Sequence, residues 1–189
     1  MKLLQNQFKK IMSKQSYKIK LRKINAFIFD VDGVLTDGRV LIDSDGEMLR
    51  LMNTKDGFAM KFAIDNGYKI SIITGGTNEA VKKRLVSLGI NTVYLGSHNK
   101  INSFYNLIKK FDLDPDEILY MGDDIPDIPA MNKVHLATCP NDAVPEVRAA
   151  SDYISHVPGG KGCVRDVIVQ TLKIHGKWGD FFEARNDTK

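Results

Sequence analysis

The chain has 189 residues, 43% apolar and 26% charged, enough for one domain with a sizeable core and ordinary for a globular protein. No apolar run reaches membrane-spanning length, and Cys139 and Cys163 are too few for a disulfide framework or a zinc cluster, so both are expected as packed or free thiols. The net charge of +4 is uneven: eight of the 27 basic side chains and no acid lie in residues 1–24, leaving 19 basic against 23 acidic residues.

The basic extension, residues 1–23, is read as helical. Leu4, Phe8, Ile11 and Met12 fall near helical spacing, with Lys9, Lys10 and Lys14 for the wet face. Such a helix would lie on the domain or on a neighbouring subunit; a solvated tail is the alternative. It has no interleaved aromatic platform, so no nucleic-acid partner is expected. Gln5, Asn6, Gln7, Lys9 and Lys10 break the apolar start Met1-Lys2-Leu3-Leu4, which argues against a secretory signal. A cytoplasmic protein without membrane insertion is expected.

Ala26-Phe27-Ile28-Phe29 then reads as a buried parallel strand. It runs into Asp30-Val31-Asp32-Gly33-Val34. Two carboxylates two residues apart share one side of a strand, and holding both at the end of a buried strand is unfavourable unless they bind a cation or do chemistry. Gly33 lets the chain turn and its amide approach a ligand. A calcium loop is excluded, because Val34 and Leu41 occupy positions that need oxygen ligands. Next, Arg39–Ile42 and Glu47–Leu51 flank Asp43-Ser44-Asp45-Gly46, a hairpin signal within residues 38–52. A helix follows over about Asp56–Asn66, with Phe58, Phe62 and Ala63 on one side and Gly67 as its stop.

Lys69–Ile73 is a second apolar strand, ending in Thr74-Gly75-Gly76 before a helix over about Asn78–Leu88. A hydroxyl and free amides between strand and helix make an anion site. Lys100 opens the next helical pattern, where its ammonium could neutralise phosphate. An acidic turn, Asp114-Pro115-Asp116-Glu117, precedes the strand Ile118–Met121, which runs into Gly122-Asp123-Asp124 with Asp127 three residues on. Short strands at Val134–Ala137 and Tyr153-Ile154 bracket a helix starting near Pro145. Pro158-Gly159-Gly160-Lys161-Gly162 looks like a phosphate loop, but Ser155 and Gly162 stand where that pattern needs glycine and a hydroxyl. Alone, Thr74-Gly75 would be an ordinary turn, Lys100 a surface charge and Asp123-Asp124 a helix cap. Together they place carboxylates, hydroxyl and amine after three strands of a βαβ array, where ligands bind.

These residues resemble the haloacid dehalogenase superfamily of phosphohydrolases. Asp30 and Asp32 match its first motif, Thr74 its second, Lys100 its third, and Asp123-Asp124 with Asp127 its fourth. The resemblance implies an α/β fold, a Rossmann-like parallel sheet flanked by helices, over residues 24–178, with a tail at 179–189. The hairpin would be the flap, and no large cap domain fits between the motifs. Asp30 would attack phosphorus and Asp32 would serve as acid, then base. Mg2+ would be held by Asp30, the Asp32 carbonyl and Asp123, with Asp124 or Asp127 orienting that shell. Thr74, the Gly75 amide and Lys100 would hold the phosphoryl oxygens.

Closer likeness, in Asp30–Gly38, Asn53-Thr54-Lys55-Asp56-Gly57, Asn99-Lys100 and Gly159–Gly162, is to the small capless branch acting on sugar-acid phosphates. It implies a homotetramer built in part through the hairpin, with Leu41, Ile42, Leu49 and Leu51 as interface. It also implies a substrate site lined by Gly33, Asn53, Thr54, Lys55, Asp56, Gly57, Lys61, Gly76 and Arg84, and by Lys161 from the next subunit. Arg84 would meet the sugar acid's carboxylate. An eight-carbon 8-phosphate is favoured by Lys55-Asp56-Gly57, although Gly76 stands where many relatives carry Arg; a nine-carbon 9-phosphate is the alternative, whose phosphatases carry Glu at that place and a Lys where Ser87 stands. From other classes, a receiver-like switch phosphorylated on Asp and a non-catalytic sugar-phosphate binder remain as rival readings.

Overall fold

The protein, represented by a computed structural model, is described over residues 16–179. The helix read over Leu4–Met12 and nearly all of the tail lie outside them. A short helix, α1 (Tyr17–Lys20), and a 3-10 turn, Leu21–Lys23, lie against the domain. Leu21 is buried, Tyr17 stacks on Tyr153, and Lys20 pairs with Asp152 at 2.8 Å.

The strands are β1 (Ala26–Phe29), β2 (Leu41–Ile42), β3 (Met48–Leu49), β4 (Lys69–Ile73), β5 (Thr92–Tyr94), β6 (Ile118–Met121), β7 (Leu136–Cys139) and β8 (Tyr153–Ile154). Six of them form one parallel sheet in the order β5-β4-β1-β6-β7-β8, with β1 central; β2 and β3 make the separate antiparallel hairpin. The major helices are α2 (Thr54–Asp65), α3 (Glu79–Ser87), α4 (Lys100–Phe111), α5 (Ile128–Met131), α6 (Pro145–Ala150) and α7 (Cys163–Ile174).

Alternation along β1 splits the core between the two sheet faces. Phe27 and Phe29 pack with Ile70, Ile72, Leu119 and Met121 under α2, α3 and α7. Ala26 and Ile28 pack with Ile73, Ile118 and Tyr120 under α4, α5 and α6. Phe29 is level with Ile72 on one side and Met121 on the other, so the three central strands end within one residue of each other.

Several expectations need correcting. β1 stops at Phe29, so strand alternation does not set the direction of Asp32; a turn in which the amides of Val34, Leu35 and Thr36 converge on the Val31 carbonyl does. Phe58 is half exposed and stacks on Phe62, while the core face of α2 is Ala59, Met60 and Ala63. β5 and α7 are elements that the apolar runs did not announce. Both cysteines are free and buried, as expected.

The loop after β8 closes the back of the first-motif turn. A Cβ on Gly159 would lie 2.0 Å from the Gly33 carbonyl oxygen, and the Gly160 amide donates to the Val34 carbonyl at 2.9 Å. Gly159→Ala must therefore push two backbone segments apart; we expect a loss of about 1–3 kcal/mol in urea unfolding, without change in secondary structure by circular dichroism.

Candidate active site

The level strand ends bring three loops together. Asp30 leaves β1 with its amide bonded to the Met121 carbonyl at 3.1 Å, and Thr74, buried, leaves β4 with its amide bonded to the Tyr94 carbonyl at 3.0 Å. Gly122 and Asp123 leave β6. Gly33, at φ +89°, is required twice over: few side chains adopt that conformation, and a Cβ there would sit 1.9 Å from Asp123 Oδ2. The bare backbone is what lets the Asp123 carboxylate reach the first-motif loop.

Lys100, the first residue of α4, is the centre of charge. Its buried ammonium lies 2.9 Å from Asp30 Oδ2 and 2.7 Å from Asp127 Oδ1. Burial opposes this charge, but Asp30 and Asp127 hold it above its ordinary pKa. Asp127, fully buried, also accepts the Tyr120 hydroxyl at 2.7 Å, and its Oδ2 takes the amides of Asp123 and Asp124 at 3.3 and 3.4 Å. That carboxylate is satisfied on both oxygens. Asp124 and Asp127 form a capping box at the start of the 3-10 turn Ile125–Asp127.

Two oxygens are left over. Asp30 Oδ1 and Asp123 Oδ1 are buried and have no hydrogen-bond partner among the described residues, although acidic oxygens of Asp30, Asp123 and Asp127 lie within 4.8 Å of one another. Burial and the charge of Asp127 push the Asp30 carboxyl up to about 6 against the pull of Lys100. Burial and the charges of Asp30 and Asp127 push Asp123 up to about 8. Orphaned carboxylate oxygens that resist ionisation alone fit a hard divalent cation, which takes oxygen ligands and favours the ionised form. Asp30 and Asp123 would supply the ligands, with Asp127 holding Lys100 and the fourth-motif backbone.

A cleft of about 410 Å³ opens over this group, lined by Asp30, Asp32, Thr74, Gly75, Gly76, Lys100, Asp123 and Asp124, and also by Ser97 and His98, which sequence reasoning did not single out. The Gly76 amide bonds Thr74 Oγ1 at 3.2 Å, and the Ser97 amide bonds the Thr74 carbonyl at 2.8 Å. Asp32 is gripped by Arg50, whose Nε and Nη2 lie 3.1 and 3.2 Å from its two oxygens. In the sequence Arg50 is only part of a hairpin strand, and no spacing signal links it to Asp32.

The other expected substrate residues are not in that cleft. Asn53 caps α2 by accepting the Lys55 amide at 2.9 Å and reaches the Gly160 carbonyl at 3.3 Å. Thr54 and Lys55 are exposed, and Lys61 pairs with Asp65 on the outer face of α2. Asp56 is 1% exposed and accepts the Arg165 amide at 2.7 Å. One of its oxygens thus serves the first turn of α7, and the other is buried with no hydrogen-bond partner among the described residues. Gly57 is buried beneath Arg84; a Cβ would meet Arg84 Nη2 at 3.1 Å. Arg84 lines a second hollow, between the hairpin and α3, with Asp37, Arg50 and Asn78. Lys161 is exposed, 3.8 Å from Asp37 of its own chain.

A family model of haloacid dehalogenase-like hydrolases matches residues 60–139. The 3-deoxy-D-manno-octulosonate 8-phosphate phosphatase of Salmonella typhi is 38% identical over 158 residues, 84% of each chain; that of Escherichia coli K12 is 37% identical over the same share. The chain belongs to the haloacid dehalogenase-like hydrolases. Within this family, the crystal structure of the Yersinia pestis phosphatase of the same name superposes with a TM-score of 0.84 at 31% identity, covering 86% of this chain and 88% of that one. The Moraxella catarrhalis phosphatase, in complex with magnesium, phosphate and a KDO molecule, gives 0.84 at 30% identity over 88% of this chain and 96% of that one.

As in the family, the site is a cation-binding one, and its titration has a sign. Asp30 and Asp123 hold protons more tightly folded than unfolded, so metal-free stability falls as pH rises from about 4 through about 8. A cation binds the ionised forms and acts the other way. We expect magnesium to raise the melting temperature little near pH ~5 and clearly near pH ~8.5, and Asp123→Asn to remove the rise, as read by scanning calorimetry.

Proposed function

We propose that this chain is a magnesium-dependent phosphomonoesterase that hydrolyses 3-deoxy-D-manno-octulosonate 8-phosphate to the free sugar acid and phosphate. The observation that carries the reading is the buried Asp30, ion-paired to Lys100 through one oxygen and orphaned at the other beside Asp123. The relatives' names supply the substrate, family membership supplies the two-step chemistry, and the placement of these residues supports it.

Asp30 attacks phosphorus, the bond to the sugar oxygen breaks, and Asp32 gives that oxygen a proton. Asp32 then takes a proton from water as water attacks the aspartyl-phosphate and frees Asp30. Lys100, the Thr74 hydroxyl and the Gly75 amide hold the phosphoryl oxygens as charge shifts among them. Asp30 and Asp123 would hold magnesium, which would supply positive charge for the phosphoryl group beyond what Lys100, already shared between two carboxylates, can give. Asp127 moves no proton: it anchors Lys100 and the backbone under Asp123.

The decisive assay is phosphate release with magnesium from the octulosonate 8-phosphate, a nine-carbon sugar-acid 9-phosphate and a hexose phosphate. We expect strong preference for the first, and a loss of about 10³-fold or more in Asp30→Asn with the fold retained. Equal release from all three would keep the phosphatase and discard the substrate. No release from any would favour a binding or receiver-like role.

The same reading includes a cytoplasmic homotetramer in the supply of lipopolysaccharide precursor. No helix among the described residues is long and apolar enough to cross a membrane. Leu41 and Ile42 are each 66% exposed and Leu51 is 83% exposed on a hairpin that has no core of its own, and apolar surface so grouped favours burial by another chain. Leu41→Asp with Leu49→Asp is expected to give smaller species in native mass spectrometry; an unchanged tetramer would place the interface elsewhere.

A further inference from the structure

Asp32 acts twice in this reaction, and its aim decides both proton transfers. Asp32 sits in a turn, not a strand, and its side chain is one-third exposed. A carboxylate so placed has rotamers to choose from, and proton transfer depends on geometry within hydrogen-bond reach. Arg50 removes that freedom. Its own side chain is 6% exposed, and the fork takes both Asp32 oxygens at 3.1 and 3.2 Å. The remaining nitrogen, Nη1, donates to the Met48 carbonyl at 2.7 Å, which also accepts Asn78 Nδ2 at 2.9 Å. Asn78 is the N-cap of α3. The guanidinium is therefore fixed to the hairpin at one end and braced against the second-motif helix before it meets Asp32.

The fork also needs the space at Gly76. A Cβ there would lie 3.3 Å from Asp32 Oδ2 and 3.6 Å from Arg50 Nη2. Any longer side chain would compete for the volume the fork fills.

We propose that Arg50 is the positioning residue for Asp32, holding its carboxylate where it exchanges protons with the sugar oxygen and with water. Each Asp32 oxygen keeps a second acceptor direction while Arg50 uses the first. When Asp32 gives its proton to the departing oxygen, the product carboxylate is left in the fork; when it takes a proton from water, the fork keeps the acid in place for the next turnover. Arg50 touches neither phosphorus nor the sugar in this scheme. The inference rests on the reading of Asp32 as acid and base.

Arg50→Met is expected to lower kcat on octulosonate 8-phosphate by roughly ten- to a hundredfold. On p-nitrophenyl phosphate the loss in kcat/KM should be several-fold smaller, because that leaving group departs without a proton and kcat/KM excludes the hydrolysis of the aspartyl-phosphate. Arg50→Lys, with one charge-assisted hydrogen bond in place of two, should recover part of the loss; it carries the same comparison if Arg50→Met does not fold. Equal losses on both substrates would overturn the proposal, as would no loss on either. A rise confined to KM for the sugar acid, with kcat kept, would also overturn it and make Arg50 a substrate contact. Wild-type protein inactive on both compounds would instead defeat the phosphatase reading itself.

Discussion

An ammonium buried between two carboxylates is the constraint on which this molecule turns. Lys100 lies within 3 Å of Asp30 and Asp127, at the point where the central strands end and the helices of one face begin. With Asp123 beside them, three carboxylates meet one ammonium in a water-poor place. The imbalance is tolerated because Asp127 is satisfied by Tyr120 and two backbone amides, because Asp30 is paired with Lys100, and because burial and its acidic neighbours favour the protonated form of Asp123. Removing Lys100 would leave buried charge uncompensated, a change that costs about 3–5 kcal/mol in buried pairs. Stability and reactivity therefore share the same atoms.

The elements that carry this centre were legible because they obey simple periodicities. Ala26–Phe29, Lys69–Ile73 and Ile118–Met121 are uninterrupted apolar runs followed at once by Asp, Thr-Gly and Gly-Asp, and all three are strands of the parallel sheet. Lys100 at a helix start and Asp127 three residues past Asp124 read correctly from spacing. β5 was missed because three half-buried residues at a sheet edge carry no run long enough to notice. α7 had a signal, in Val164, Val167, Ile168 and Leu172, which are spaced for one buried face; the glycines before it drew the reading elsewhere.

Long-range polar contacts were the part that could not be read. Arg50 and Asp32 are joined by the path of a hairpin, and Asp56 by the arrival of α7 beneath α2; neither path has a period. Phe58 shows the converse failure, an aromatic at helical spacing that ends on the surface because the smaller Ala59 and Ala63 fit closer to the sheet. The residues named from the four motifs do meet at one cleft, whereas Asp56 is buried against the start of α7.

The seat of Gly159 against Gly33 bears on how the protein comes into being on the ribosome. β1, first of the sheet strands to emerge, is central to the sheet and gains its neighbours one at a time as β4 and then β6 appear. The turn that carries Asp32 stays without its backing until the glycines beyond β8 have been made. Before β4 and β6 arrive, β1 is an unpaired apolar strand, the kind of exposed edge that invites wrong partners; after they arrive, its terminal turn still lacks the glycine backing. A nascent chain released before those glycines would carry the Asp30–Asp32 turn without the backbone contacts that close it.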